Sequence, residues 1–127
     1  MPSSKKENSS SSFNIKQGEK YERLAGDFYV QEGFDVLEFN WRAGKKEIDL
    51  IVQKENLIVF VEVKSSNSQK FGHPSERVDK KKIQNLSDAA NQFIIDHNIQ
   101  NCDLRFDVVT FVDGQMEYYP NAFEGMG

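Results

Sequence analysis

Two short apolar runs, Leu50-Ile51-Val52 and Leu57-Ile58-Val59-Phe60-Val61, flank a polar break at Lys54-Glu55-Asn56. Short runs rich in β-branched residues read as strands, and the break reads as a hairpin turn. A two-residue loop at Glu55-Asn56 pairs Lys54 with Leu57, and Asn56 is the residue suited to the positive φ of such a turn. Carried along the strands, this register sets Asp49 opposite Glu62 and Glu47 opposite Lys64. Side chains alternate between faces along a strand. One face therefore carries Asp49, Ile51, Ile58, Phe60 and Glu62, and the other Ile48, Leu50, Val52, Leu57, Val59, Val61 and Val63. Both faces are apolar, as for central strands of a sheet covered on both sides.

The charges at one end of this hairpin set the functional question. Opposed residues on antiparallel strands have Cβ atoms roughly 5 Å apart, and like charges placed there are destabilising. A shared divalent cation would remove that cost for Asp49 and Glu62, and the adjacent Lys64 suits a site that handles phosphate. The bland alternative is that charges at strand ends are solvated or guard the sheet edge.

The chain has 127 residues, a net charge of −4 and 28% charged residues, which fits one globular domain. The longest of these apolar runs, Leu57 to Val61, is far too short to span a membrane. Residues 1–13, with six serines before Phe13, read as a disordered lead-in, residues 14–120 as the domain and 121–127 as a frayed tail. A single cysteine, Cys102, excludes an internal disulfide and suits a reducing cytoplasm. The acidic balance argues against indiscriminate nucleic-acid binding. Between Lys64 and Lys82, however, six basic residues stand against Glu76 and Asp79, and Arg42, Lys45 and Lys46 precede Glu47. Positive charge thus gathers around the carboxylates, as a phosphate backbone requires.

Along the chain, Tyr21, Leu24, Ala25, Phe28 and Tyr29 predict an amphipathic helix over 17–32, ended by Gly33. Residues 35–42 alternate as a strand, with Leu37, Phe39 and Trp41 on one side. Strands follow over 47–53 and 57–64, then a polar loop over 65–76. A second helix over 79–97 has the stripe Ile83, Leu86, Ala90, Phe93 and Ile94, with Lys80, Lys81 and Lys82 in its first turn. Cations there oppose the helix dipole, which points to another role. A strand over 104–112, the turn Asp113-Gly114 and a short strand over 116–119 complete an α/β fold, order α-β-β-β-α-β-β, with a mixed sheet flanked by helices.

With Asp on the second strand and Glu-X-Lys on the third, this order resembles the PD-(D/E)XK, restriction-endonuclease-like core. More closely, the chain resembles the YraN-like family of small bacterial proteins, whose core is similar to archaeal Holliday-junction resolvases. The matching segments are Gly18 with Glu22 and Ala25, Asn40-Trp41-Arg42, Glu47-Ile48-Asp49-Leu50-Ile51, Val59-Phe60-Val61-Glu62-Val63-Lys64, Phe71-Gly72, Val78 with Lys82 and Leu86, and Arg105-Phe106-Asp107-Val108-Val109. They cover about residues 16–112.

The resemblance implies a metal-dependent nuclease acting on DNA, branched or damaged, or on RNA. Asp49 and Glu62 would hold Mg²⁺ or Mn²⁺ with the carbonyl of Val63, since Mg²⁺ takes one or two protein carboxylates and keeps several waters. Lys64 would orient the attacking water, and Glu22 resembles the further acidic residue of resolvase-like members. Glu47 is assigned a supporting role against Lys64, and Arg42, Lys46, Lys70, Lys81 and Lys82 are the candidate phosphate contacts. Asp107 with Arg105 reads as structural. Two departures stand out: Lys46 replaces the family's Gly before Glu47, and Ser65-Ser66 replaces a basic residue after Lys64. By analogy, a chain this small would act on a symmetric junction as a homodimer. The alternatives are a non-catalytic nucleic-acid-binding module of the same fold and a purely structural domain.

Overall fold

A computed structural model describes residues 13–66 and 80–125. The elements are α1 (Phe13–Gln31), β1 (Asp35–Ala43), β2 (Lys46–Lys54), β3 (Leu57–Ser66), α2 (Lys80–Asp96), β4 (Asp103–Val112) and β5 (Gln115–Phe123), the α-β-β-β-α-β-β order expected from the sequence. The strands form one five-stranded sheet in the order β1-β2-β3-β4-β5. Only β3 and β4 are parallel; the other neighbours are antiparallel. A parallel pair needs a long crossover, and α2 lies in it. Most of the loop expected over 65–76 lies outside the described residues, as do Lys70, Phe71-Gly72 and Val78. Among the described residues, no helix is long and apolar enough to cross a membrane.

The helices cover opposite faces of the sheet. Ala25 and Tyr29 of α1, with Phe34, pack on Leu50, Val52, Val59, Val61, Val109 and Phe111. Leu86, Ala89, Ala90 and Phe93 of α2 pack on Ile48, Ile51, Ile58, Phe60 and Phe106. Leu24, expected on the buried stripe of α1, is 41% exposed. Gly33 ends α1 with φ 96°, a conformation that favours glycine. The Phe34 N–H then donates to the Tyr29 carbonyl at 2.9 Å.

The expected hairpin register holds from Lys54–Leu57 to Leu50–Val61. The positive φ falls on Glu55, at 55°, and not on Asn56. Glutamate is poorly suited to that region, whereas asparagine visits it readily. Glu55→Asn is therefore expected to stabilise the protein by about 0.5–1 kcal/mol, read as a higher urea midpoint at unchanged m-value. The Asp113-Gly114 turn forms as expected, with φ of 51° and 81°.

Two expectations are corrected by the strands. β5 runs through Pro120 to Phe123, where a frayed tail was expected to begin at residue 121. Phe123 stacks on Phe106 at 5.2 Å, and the Asn121 N–H donates to Asp107 Oδ1 at 2.8 Å. β5 is an edge strand, so Pro120 is tolerated there. The second correction concerns Ile48, placed by simple alternation on the face of Leu50. Ile48 instead packs in the α2 layer and Leu50 in the α1 layer. The same swap occurs on β1. Phe39 lies against Gly26 of α1, yet Trp41 joins the α2 layer, edge-on to Phe93 at 5.3 Å. Between Phe39 and Trp41 lies Asn40, whose φ of 53° is left-handed. The strands exchange faces at Asn40 and Asp49, which lie across from each other between the pairs Phe39–Leu50 and Trp41–Ile48.

Candidate functional site

The exchange of faces opens the sheet where the candidate ligands lie. The β2–β3 ladder ends at Leu50–Val61 and does not carry on to the expected Asp49–Glu62 and Glu47–Lys64 pairs. The Val63 N–H, which a continued ladder would give to β2 main chain, donates to Asp49 Oδ2 at 2.8 Å. β3 meanwhile stays paired with β4 as far as Ser66–Val112. The carboxylate of Asp49 thus sits in the fork between β2 and β3. Glu62, on β3, is 7% exposed, and its Oε2 lies 3.1 Å from Lys82 Nζ of α2.

Both helical layers reach this fork. From α1, Glu22 is held through Oε1, which accepts a hydrogen bond from Asn40 Nδ2 at 2.7 Å. Lys82 arrives from α2. Burial, and then the charges of Glu62, Glu22 and Glu47, push the Asp49 carboxyl up to about 8 against the lowering effect of the Val63 N–H. Burial also raises Glu22, opposed by its Asn40 hydrogen bond and reinforced by Glu47, Glu19 and Glu62. A carboxylate held this far from its ordinary range marks a site that gains from positive charge.

Among the described residues, no three His, Cys, Asp or Glu side chains form a set that could hold a metal ion. A pair of carboxylates such as Asp49 and Glu62, each within electrostatic reach of the other, would suit Mg²⁺ or Mn²⁺ retaining most of its waters. Glu22 is near enough to be felt electrostatically but belongs to the surroundings of that pair.

The other expected residues divide. Glu47 pairs with its cross-strand neighbour Arg42, Nη2 to Oε1 3.6 Å, and not with Lys64, because the β2–β3 register stops short of it. Arg42 is 66% exposed on that rim. Lys46 binds Asp88 of α2 at 2.6 Å, and Gln84 supports the same carboxylate at 2.9 Å. That contact holds Asp88 below the usual carboxylate range and commits Lys46 to joining β2 and α2. Lys81 is exposed and Lys70 lies outside the described residues. Lys64 is half-buried beside Thr110, its β4 partner, and by alternation shares the face of Glu62. Asp107 stands apart, as expected. It is fully buried, bound by both the Nε and Nη2 of Arg105 at 2.9 Å and by the Tyr29 hydroxyl at 2.7 Å.

Sequence reasoning named Lys82 only as a phosphate contact and missed its ion pair with Glu62, and it missed the part of Asn40 beside Glu22. Asn40 gave one signal, a turn-favouring residue in mid-strand. The three lysines at the start of α2 gave another, but their target could not be read from spacing.

Residues 21–111 match the uncharacterised protein family UPF0102. A UPF0102 protein of Chloroherpeton thalassium is 42% identical over 99 residues, covering 78% of this chain and 77% of its own length. One from Caldicellulosiruptor bescii is 45% identical over 105 residues, 80% of this chain and 88% of that one. Another, from Clostridioides difficile, is 37% identical over 112 residues, 87% and 98% of the two chains. The matched span runs from α1 through β4 and takes in Glu22, Asn40, Asp49, Glu62, Lys64 and Lys82. The chain that builds this fork is a member of the UPF0102, or YraN-like, family.

Proposed function

We propose that the protein is a metal-dependent nuclease that hydrolyses phosphodiester bonds, with branched or damaged DNA as its substrate class. The observation that carries this reading is the placement of Asp49 in the fork between β2 and β3, within electrostatic reach of Glu62, with Lys64 by alternation on the face of Glu62. Asp49 and Glu62 are the residues that would hold Mg²⁺ or Mn²⁺. When bound, such an ion supplies neutralisation of the scissile phosphate and activation of water. Lys64 supplies a positive donor that orients the attacking water and stabilises charge gathering on phosphate oxygen. Glu22 adds negative charge that favours the cation. Lys82, now on Glu62, can turn to substrate phosphate once another cation takes its place. Arg42 and Lys81 on the rim meet the flanking backbone, where each contact also makes binding salt-dependent.

A non-catalytic binding module is the second reading. It is favoured by the neutralisation of Glu62 by Lys82 and of Glu47 by Arg42 within the protein itself. Mn²⁺ titration followed by NMR line broadening, on wild type and Glu62→Gln, with cleavage of four-way and flap DNA assayed in parallel, separates the readings. The nuclease reading expects saturable broadening at Leu50 and Val63, lost in Glu62→Gln, together with Mn²⁺-dependent cleavage. DNA binding with neither effect would select the module.

A further inference from the structure

Asn40 unites three observations. Its φ of 53° lies in the left-handed region although it stands within β1. It faces Asp49 across the β1–β2 pair, at the point where both strands exchange faces. Its amide donates to Glu22 at 2.7 Å. A need for backbone shape alone would be met at lower strain by glycine. Asparagine tolerates the same φ and brings a donor as well. That donor is aimed at a carboxylate on a partly exposed helix surface, where repulsion from Glu47 and Glu62 would otherwise turn it toward solvent.

We infer that Asn40 is the positioning residue of the acidic fork. Its backbone turns β1 over beside Asp49, and its amide holds the Glu22 carboxylate inward. The effect on cation binding rests on the reading above; the hold on Glu22 does not.

The test compares wild type, Asn40→Gly and Glu22→Ala by two measurements. The first is the ¹⁵N–¹H signal pair of the Asn40 side-chain amide, expected to show slowed solvent exchange in wild type and free-amide behaviour in Glu22→Ala. A pair that is unchanged in Glu22→Ala overturns the inference. The second is Mn²⁺ affinity, from electron paramagnetic resonance of the free ion. Asn40→Gly keeps the backbone conformation and is expected to melt within a few degrees of wild type. It should bind Mn²⁺ about tenfold more weakly, the factor that one hydrogen bond to a charged group carries. Wild-type affinity in a folded Asn40→Gly also overturns the inference. If wild type itself binds no Mn²⁺, the metal reading fails, and the amide pair alone decides the role of Asn40.

Discussion

Asp49→Asn is expected to make the metal-free protein more stable and, on the nuclease reading, to abolish cleavage. The folded protein raises the Asp49 carboxyl from its ordinary 3.8 to about 8, chiefly by burial and by the charge of Glu62. Below about 3.8 the group is protonated in both folded and unfolded chains and carries no penalty. As pH rises from there toward 8, the unfolded chain releases its proton first, so the folded state loses stability across that window. Asparagine can still accept the Val63 N–H through its carbonyl oxygen but carries no charge. The variant should therefore gain about 1–3 kcal/mol at pH 8, less than the full shift implies because Asp49 is half-buried, and water and side-chain rearrangement relax the pair. Its stability should be flatter with pH than that of wild type. On the metal reading, saturating Mn²⁺ offsets that gain: at a hundred times its Kd a ligand adds about 2.7 kcal/mol to the protein that binds it. Thermal melts at pH 5 and 8, with and without Mn²⁺, check all three statements. On the nuclease reading, DNA cleavage should fall more than about a hundredfold, since even residues that merely support metal ligands cost 10–100-fold. A variant no more stable than wild type at pH 8 would mean that Asp49 is not under electrostatic stress.

Asp107→Ala should act in the opposite sense and more severely. Asp107 is fully buried and joins four partners: both donors of Arg105, the Tyr29 hydroxyl and the Asn121 N–H. Arg105 also donates to the Tyr118 hydroxyl at 3.1 Å, so one carboxylate ties α1, β4 and β5 together. Its removal leaves a guanidinium with only partial access to water and a buried hydroxyl without its acceptor. Breaking a buried, hydrogen-bonded ion pair costs about 3–5 kcal/mol, a large part of the 5–15 kcal/mol that holds a typical domain together. Tyr29→Phe, which removes one donor and keeps the pair, should cost only about 1 kcal/mol. Urea unfolding of both variants measures the difference. Equal losses would show that the network is not centred on Asp107. Fluorescence or NMR of Asp107→Ala should show loosening first where Asn121 and Phe123 attach β5, since that strand relies on Asp107 and Phe106 to stay ordered past Pro120.

Much of the fold was legible because its central strands are buried on both faces. Continuous apolar runs with a two-residue break leave little choice but a hairpin, and the register from Lys54–Leu57 to Leu50–Val61 followed from loop length. The register failed beyond Leu50 because a side chain, that of Asp49, took a backbone donor, and no pattern of polarity announces such a substitution. Glu47 was consequently matched to Lys64 when its neighbour is Arg42. Asp49 and Glu62 were singled out as opposed carboxylates at the end of an apolar hairpin, and the structure makes Glu62 buried and Asp49 half-buried where the ladder stops. Lys82 and Asn40 were harder. Their partners Glu62 and Glu22 lie far away in the chain, and a left-handed residue inside a strand is invisible to a count of alternation. β5 outlasted its expected end because Phe123 and Asn121 gain partners only once β4 is in place.

The exchange of faces at Asn40 and Asp49 also divides β2 into segments with separate obligations. Residues two apart on a strand ordinarily press on the same neighbours, so a change in volume at one constrains what the other can become. Ile48 and Leu50 escape that rule: Ile48 belongs with Leu86 and Phe93, Leu50 with Ala25 and Tyr29. Substitutions at these positions share no packing partners and should combine nearly additively, as do those of distant sites. Each end of the strand can therefore drift in size with its own helix while Asp49, between them, stays in place.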